Sequence, residues 1–378
     1  MFGLMESNRD HKLSRGRYAA ALRFTWKCCC LALALLLISC SSRPKLAPET
    51  QLDRAGASPS DYELVFIIHG DGGYIFHDSD GNAHRADEEA LAGAIRVAER
   101  NSQAEVFIFH EKPRKHTLLI FPRRDGEFYY YRNGRLIARE SYWRNQGPAR
   151  FSPEIAFHQR FRSAITADPI RMFLYFGHEI PEVGGTGYDA SYKSRTFTIQ
   201  DLVDGLRDMK PDSAKFDLVV LSTCFNGTPY IVSKLSPLAR YVMASPGNLH
   251  LSYFDLQHFE VLDVNLQNRD VLSFARNCAK QAYDRSVKDI QTEITIAVYD
   301  VDRVTQYVNS VDSIDTRNLT AHEVSPTTTI QRCDCAEDPA FRSDAMSEGI
   351  EVFFRPARFG RSAQKKTHSG WECPKLAN

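Results

Sequence analysis

The chain has no surplus of basic charge: its 47 Lys and Arg residues face 47 Asp and Glu. A nucleic-acid partner requires a basic face, so none is expected. The apolar stretch from Cys28 to Ser39 is too short to cross a bilayer as a helix, which takes roughly 20 residues. No Gly-Xaa-Ser-Xaa-Gly elbow occurs. That absence argues against a serine hydrolase of the α/β-hydrolase type, although Ile68-His69-Gly70-Asp71-Gly72-Gly73 has the look of an esterase oxyanion loop. Paired Cys-Xaa-Xaa-Cys spacing is missing too, which weakens a zinc reading.

What the N-terminus has is an export signal. Arg15, Arg17, Arg23 and Lys27 precede the Cys28 to Ser39 stretch, whose length suits the h-region of a cleaved signal peptide. It closes on Leu37-Ile38-Ser39-Cys40, which resembles the bacterial lipobox; the resemblance implies lipidation of Cys40 as the mature N-terminus, against the alternative of an ordinary signal peptide with an incidental Cys. Ser41 and Ser42 follow, with no Asp after the Cys, and by resemblance to the sorting pattern of diderm bacteria an outer-membrane destination is expected. Several acyl chains, at about 0.8 kcal/mol per buried CH2, anchor a domain without a spanning helix. Removing residues 1–39 leaves 41 basic and 45 acidic residues, a slightly acidic mature protein. Residues 40–60, polar and Pro-bearing, read as a lipidated Cys and flexible tether.

Five thiols remain after export: Cys224, Cys278, Cys333, Cys335 and Cys373. The odd number flags at least one Cys outside any disulfide. Cys333 or Cys335 is expected to pair with Cys373. Cys278 shares a helical face with Phe274 and Ala282 and reads as a small core residue.

Downstream, β-rich apolar runs alternate with amphipathic helical ones, the pattern of an α/β protein with a mostly parallel sheet flanked by helices. The expected strands are Glu63 to His69, Glu105 to His110, Arg171 to Phe176, Leu218 to Ser222, Tyr241 to Ala244 and Ile294 to Ala297. The expected helices are Glu88 to Asn101, Thr198 to Met209, a stretch after Cys224, and Asp270 to Tyr283. Between about 116 and 142 the alternation breaks. Asp125-Gly126 and Asn133-Gly134 suit tight turns there, so a small antiparallel hairpin insertion is expected, packed by Tyr129, Tyr130 and Tyr131. The chain divides on this reading into a main α/β domain over 61–311 and a C-terminal extension with a closing strand over 312–378.

Two of these runs end in reactive side chains. His178 follows the Arg171 run and Cys224 follows the Leu218 run, with one helix between them. In open α/β sheets ligands bind beyond the carboxyl ends of strands, and parallel strands joined by one crossover helix are usually neighbours. The two side chains are therefore expected to share a cleft. Thr228 and Pro229 are an N-cap and first helical residue, and a helix N-terminus near a thiol favours the thiolate. A Cys nucleophile, a His acid/base, and backbone N–H groups of Cys224 and Glu179 as oxyanion donors make a cysteine hydrolase.

These pieces succeed one another in an order that resembles the clostripain-like cysteine peptidases of the caspase-like clan. Val65 to Gly73 is similar to that family's first strand and its turn. Tyr175-Phe-Gly-His178 resembles its His segment, Gly184 to Asp189 its glycine-rich loop, Leu221-Ser-Thr-Cys224 its Cys segment, and Tyr241 to Ser245 its next strand end. Thr295 to Val304 resembles a later segment and Gly349 to Phe354 the final strand. The resemblance implies a caspase-like fold and a peptide or protein substrate.

The chain also departs from the pattern. Glu179 stands where the family usually has Gly, and Pro246 where it has Glu. Ser222 replaces the acid that lines the primary pocket of Arg-specific relatives. Asp255 is a candidate substitute charge; without it, Ser222 and Tyr253 would form a neutral, hydroxyl-lined pocket. No self-processing is expected at Lys193 or Arg195. No cofactor is required on this reading. Some clostripain relatives require calcium, and Asp78 and Asp80 are weak candidate ligands that lack the spacing and distal Glu of an EF-hand. A binding or scaffold lipoprotein whose chemistry has decayed is the alternative function, and it predicts side chains pointing apart or a buried Cys224.

Overall fold

The computed structural model describes residues 60–374 except 78–79, 118–120, 164–167, 183–188, 196, 211–213, 250–253 and 322–331. Cys40, Asp78, Tyr253 and the Gly184 to Tyr188 stretch lie outside the described residues.

Nine strands form one sheet: β1 (Tyr62–His69), β2 (Ala104–Glu111), β3 (Gly126–Arg132), β4 (Arg135–Tyr142), β5 (Ile170–Phe176), β6 (Phe216–Ser222), β7 (Ala239–Ala244), β8 (Ile294–Asp300) and β10 (Ile350–Arg355). A separate antiparallel pair joins β9 (Arg332–Asp334) to β11 (Glu372–Pro374). In space the large sheet runs β10-β8-β7-β6-β5-β1-β2-β3-β4. The five strands from β2 to β7 across its middle are parallel, and both edges are antiparallel. The result is a mixed caspase-like sheet, parallel at its centre as expected, with β3 and β4 as the hairpin that extends one edge.

The central strands are buried on both faces, which is why they read as continuous apolar runs rather than alternating ones. Along β5, Phe173 and Tyr175 enter one core, while Met172, Leu174 and Phe176 enter the other. The first core is closed by α3 (Ile199–Met209), α4 (Pro229–Leu235) and α6 (Val301–Ala321), and flanked by α2 (Ser152–Phe161). The second is closed by α1 (Ala86–Arg100) and α5 (Val271–Asp289). Each fully buried Leu, Ile or Phe contributes about 1.5–3 kcal/mol, so both faces are needed to hold the sheet.

Helix starts follow from local chemistry. Thr198 and Asp201 form a capping box at the head of α3, with Thr198 accepting from the Asp201 N–H and Asp201 from the Thr198 N–H. Ile199, Leu202, Val203, Leu206 and Met209 then fall on its buried side. Thr228 caps α4 through the Ile231 N–H, and Pro229 occupies its first turn.

One turn assignment is corrected. Asn133-Gly134 makes the β3–β4 hairpin turn, with both residues at positive φ. Asp125-Gly126 does not make a hairpin: Gly126 opens β3, and buried Asp125 accepts from the Arg144 N–H at 3.0 Å. The three tyrosines divide between the faces, Tyr130 into one core and Tyr129 and Tyr131 into the other.

Candidate active site

Register brings the two reactive residues together. Phe176 at the end of β5 pairs with Ser222 at the end of β6, so the loops carrying His178 and Cys224 leave the sheet side by side. The Gly177 N–H donates to the Ser222 carbonyl at 3.3 Å and prolongs the pairing one step past the strands. Beyond it, Asn226, fully buried, accepts from the Ile180 N–H and donates to the Ile180 carbonyl, both at 3.1 Å. The Thr223 hydroxyl also donates to Asn226 Oδ1. Directly after Cys224 the chain turns through Phe225 at φ 51, a left-handed conformation rarely tolerated by a bulky side chain. The loop after this turn packs against Pro246 and the Tyr299 hydroxyl, so closely that a Cβ on Gly227 would lie 2.5 Å from that oxygen.

His178 and Cys224 line one small cavity of about 30 Å3, bounded also by Ile68, Ala86, Phe176 and Leu249. His178 Nε2 lies 3.1 Å from the Gly72 carbonyl. A carbonyl can only accept, so Nε2 carries the proton and Nδ1 keeps its lone pair. Burial pushes the imidazole pKa below its ordinary 6.5; the Gly72 carbonyl opposes this and His69 adds to it. His178 is therefore neutral at pH 7. Tyr74 stacks on its ring at a centroid distance of 4.2 Å, and the Tyr74 hydroxyl accepts the His178 N–H at 2.8 Å. A Cβ at position 72 would come within 2.6 Å of the imidazole, which is why that turn is glycine.

Cys224 is half-buried. Its sulfur accepts from the Leu249 N–H at 3.3 Å and lies 3.2 Å from Asn248 Oδ1. The Asn248 oxygen, to which the S–H donates, favours the protonated thiol, while the Leu249 N–H aimed at the sulfur favours the thiolate. This donor comes from the loop after β7, whereas the expected helix effect is displaced: α4 begins at Pro229, and its cap is already engaged by Thr228.

The remaining candidates separate. Ser222 lines the cavity, and its Oγ accepts from the Phe254 N–H at 2.9 Å. Asp255 does not line it. Its carboxylate accepts from the Gln257 N–H at 2.8 Å and faces Arg285 at 3.6 Å. Asp87, which sequence reasoning missed, does line it, held 3.1 Å from His110 Nε2. The Glu179 side chain turns to Arg332, whose Nη2 donates to it at 2.8 Å. Burial raises the Glu179 pKa while Arg332 opposes the rise. Arg195 is committed to the carbonyls of Arg144, Ala149 and Arg150. Asp80 is exposed. Among the described residues no group of three or more His, Cys, Asp or Glu is arranged to hold a metal ion. Cys335 and Cys373 form a disulfide, which removes two thiols from the zinc alternative and selects between the two expected pairings.

Behind the site lies a buried ionic cluster that sequence reasoning also missed. Arg144, with no exposed surface, reaches Asp71, Glu111, Asp125 and Asp189, and Arg150 reaches Glu111 and Asp189. Burial and a shared hydrogen bond with Asp189 raise the Asp71 pKa. Against the cost of burial, Arg150, His69 and Arg144 hold Glu111 below its ordinary value. The cluster ties the turn after β1, which presents Gly72 to His178, to β2 and to the loop at Asp189. The only sequence sign of it was a Gly-Asp turn next to an apolar strand.

The fold is a caspase-like sheet with a His and a Cys just past the ends of neighbouring strands, similar in architecture to C11 cysteine proteases. More particularly, residues 175–339 match the model of the Clostripain family, and this stretch, somewhat less than half of the chain, holds both His178 and Cys224. An inactive zymogen C11 protease from Parabacteroides distasonis is similar in fold over 84% of this chain and 92% of its own, at 12% identity and a TM-score of 0.56. A secreted C11 cysteine protease from Bacteroides thetaiotaomicron, iotapain, is similar over 84% of this chain and 94% of its own, at 11% identity and a TM-score of 0.54. No curated protein sequence matches the chain.

Proposed function

We propose that the chain is a lipid-anchored cysteine endopeptidase of the bacterial cell envelope, with Cys224 as nucleophile and His178 as its acid/base partner. The observation that carries this reading is the shared cavity: a half-buried thiol and an imidazole oriented by the Gly72 carbonyl both line it. Attack of the Cys224 sulfur on a peptide carbonyl forms the C–S bond. The proton that leaves the thiol passes to His178 and then to the departing amine, and water hydrolyses the thioester. The backbone N–H groups of Cys224 and Glu179 are the oxyanion donors on this reading.

The pocket beside Cys224 supports a small, uncharged side chain preceding the scissile bond. Its walls are mostly apolar, it is small, and Ser222 offers a hydroxyl in place of a charge. Asp87 is the acid closest to it, and its carboxylate is already engaged by His110. Lipidation of Cys40 and an outer-membrane address complete the proposal. No helix among the described residues is long and apolar enough to cross a membrane. The decayed-scaffold alternative predicts side chains pointing apart or a buried Cys224; a half-buried Cys224 that lines one cavity with His178 supports the peptidase reading.

The test is labelling of the purified protein with acyloxymethylketone peptides varied at the residue before the scissile bond, beside Cys224→Ala and His178→Ala. Labelling strongest for alanine- or serine-type probes, lost in the Cys224 variant and weakened in the His178 variant, is expected. Absence of Cys224-dependent labelling by every probe, with and without calcium and reductant, would return the scaffold reading.

A further inference from the structure

The β9–β11 pair touches both reactive loops. Arg332, at the start of β9, donates from Nη2 to Glu179 at 2.8 Å and holds Nη1 3.5 Å from Glu182. Its guanidinium also lies 5.9 Å from the centre of the Phe225 ring. Glu179 directly follows His178, and Phe225 directly follows Cys224. From the opposite strand, the Glu372 N–H donates to the Gly227 carbonyl at 3.0 Å. The pair itself is fastened by the Cys335–Cys373 disulfide, by the Cys335 N–H on the Trp371 carbonyl, and by Trp371 packed against Tyr299 and Tyr307.

We infer that Arg332 is a positioning residue for the peptidase reaction: one side chain, carried by the disulfide-fastened C-terminal pair, sets the spacing of the His178 and Cys224 loops by engaging the residue that follows each. This rests on the peptidase reading given above. A planar guanidinium is suited to the task, since it can face two carboxylates along its edge while presenting a flat surface to an aromatic ring. Its side chain is 9% exposed, so the contacts are shielded from water. The arrangement also accounts for an acid after His178: Glu179 is the handle by which the C-terminal pair grips the His loop. Lysine would keep the charge and lose both the fork and the stacking surface.

The experiment uses the full-length protein and two readouts: steady-state hydrolysis of the best peptide substrate, and the rate of Cys224 alkylation by iodoacetamide as a function of pH. The second needs only a thiolate beside an imidazole and no peptide-bond cleavage. In Arg332→Met, two carboxylates lose their cation, and kcat and the alkylation rate are expected to fall together by about 10- to 100-fold with KM little changed, as for a small misplacement of reacting groups. Combining it with Glu179→Gln should restore part of the loss, because the two residues act through one contact. Arg332→Lys should fall between wild type and Arg332→Met. Should Arg332→Met fail to fold by thermal melting, Glu179→Gln alone decides: a kcat loss of about threefold or more, without loss of melting temperature, is expected. Unchanged alkylation in a folded Arg332→Met protein, a loss confined to KM, or strict additivity in the double variant overturns the inference while leaving the peptidase reading intact. If wild-type Cys224 shows no reactivity above that of Cys333 and no peptide is cleaved, the peptidase reading fails and Arg332 has no reaction to position.

Discussion

Asn226 exchanges two hydrogen bonds with the backbone of Ile180, its Oδ1 taking the N–H and its Nδ2 meeting the carbonyl, and so joins the loop after Cys224 to the loop after His178. Both ends are buried. Asn226→Ala strands a buried N–H and a buried carbonyl, each costing about 1–3 kcal/mol when left unmet. A drop in urea-unfolding stability of that order is expected, with a parallel loss of kcat. Equal stability in the variant would show that water replaces the amide without loss.

His178 must be neutral to accept a proton, and burial, opposed by the Gly72 carbonyl and aided by His69, holds its pKa below 6.5. The acidic limb of kcat/KM is therefore expected below pH 6.5, since the free enzyme's imidazole protonates only there. Steady-state rates against pH, with an imidazole NMR titration to identify the group, check this. A limb above 6.5 that follows the His178 resonance would mean that the ring is charged in the resting enzyme.

Glu154 is fully buried, and its pKa is pushed up from 4.5 to about 7, first by burial and then by the charge of Glu111. The folded protein thus holds this proton more tightly than the unfolded chain. The resulting stability is fully present below pH 4.5 and is lost as pH rises through about 7. Glu154→Gln removes the dependence. Its stability relative to wild type should climb between pH 5 and pH 8 in paired urea titrations, and a flat difference would refute the assignment.

Arg144→Met leaves four carboxylates around a site without its central cation. Breaking a buried ion pair from one side costs about 3–5 kcal/mol, so a large fall in melting temperature is expected. Stability close to wild type would mean that the carboxylates simply take up protons. Because the cluster carries the turn that offers Gly72 to His178, peptide hydrolysis should fall as well.

The Cys335–Cys373 bridge spans 38 residues. Closing a loop of that size removes about 4 kcal/mol of unfolded-chain entropy in the simplest model. Cys335→Ser with Cys373→Ser should lose stability up to that figure, measured by denaturant unfolding under non-reducing conditions. No loss would mean that the β9–β11 ladder and Trp371 hold the segment unaided.

Sequence periodicity located all six of the strands it proposed, because buried parallel strands are unbroken apolar runs. It also put His178 and Cys224 at the ends of neighbouring strands, since a single crossover helix leaves little other choice. Strand ends were less legible: β8 continues to Asp300, three residues past the expected end at Ala297. The supporting cast was hidden for a different reason. The contacts of Tyr74 with His178, Asn226 with Ile180, Arg144 with Asp71 and Arg332 with Glu179 join residues 46 to 153 apart along the chain, and no local pattern records such a partner. The partner of Asp255 was hidden in the same way, because its engagement with Arg285 depends on where α5 packs.

The turn at Gly72 precedes by about a hundred residues the stretch that matches the family, yet its carbonyl fixes which nitrogen of His178 is protonated. A fragment cut at Tyr175 would retain both reactive residues and lose β1, most of β5, and the tautomer. Grafting the matched stretch alone onto another scaffold would therefore transplant the reagents without their chemistry. The unit that can be inherited, swapped or engineered intact begins no later than Tyr62 and does not end before Pro374.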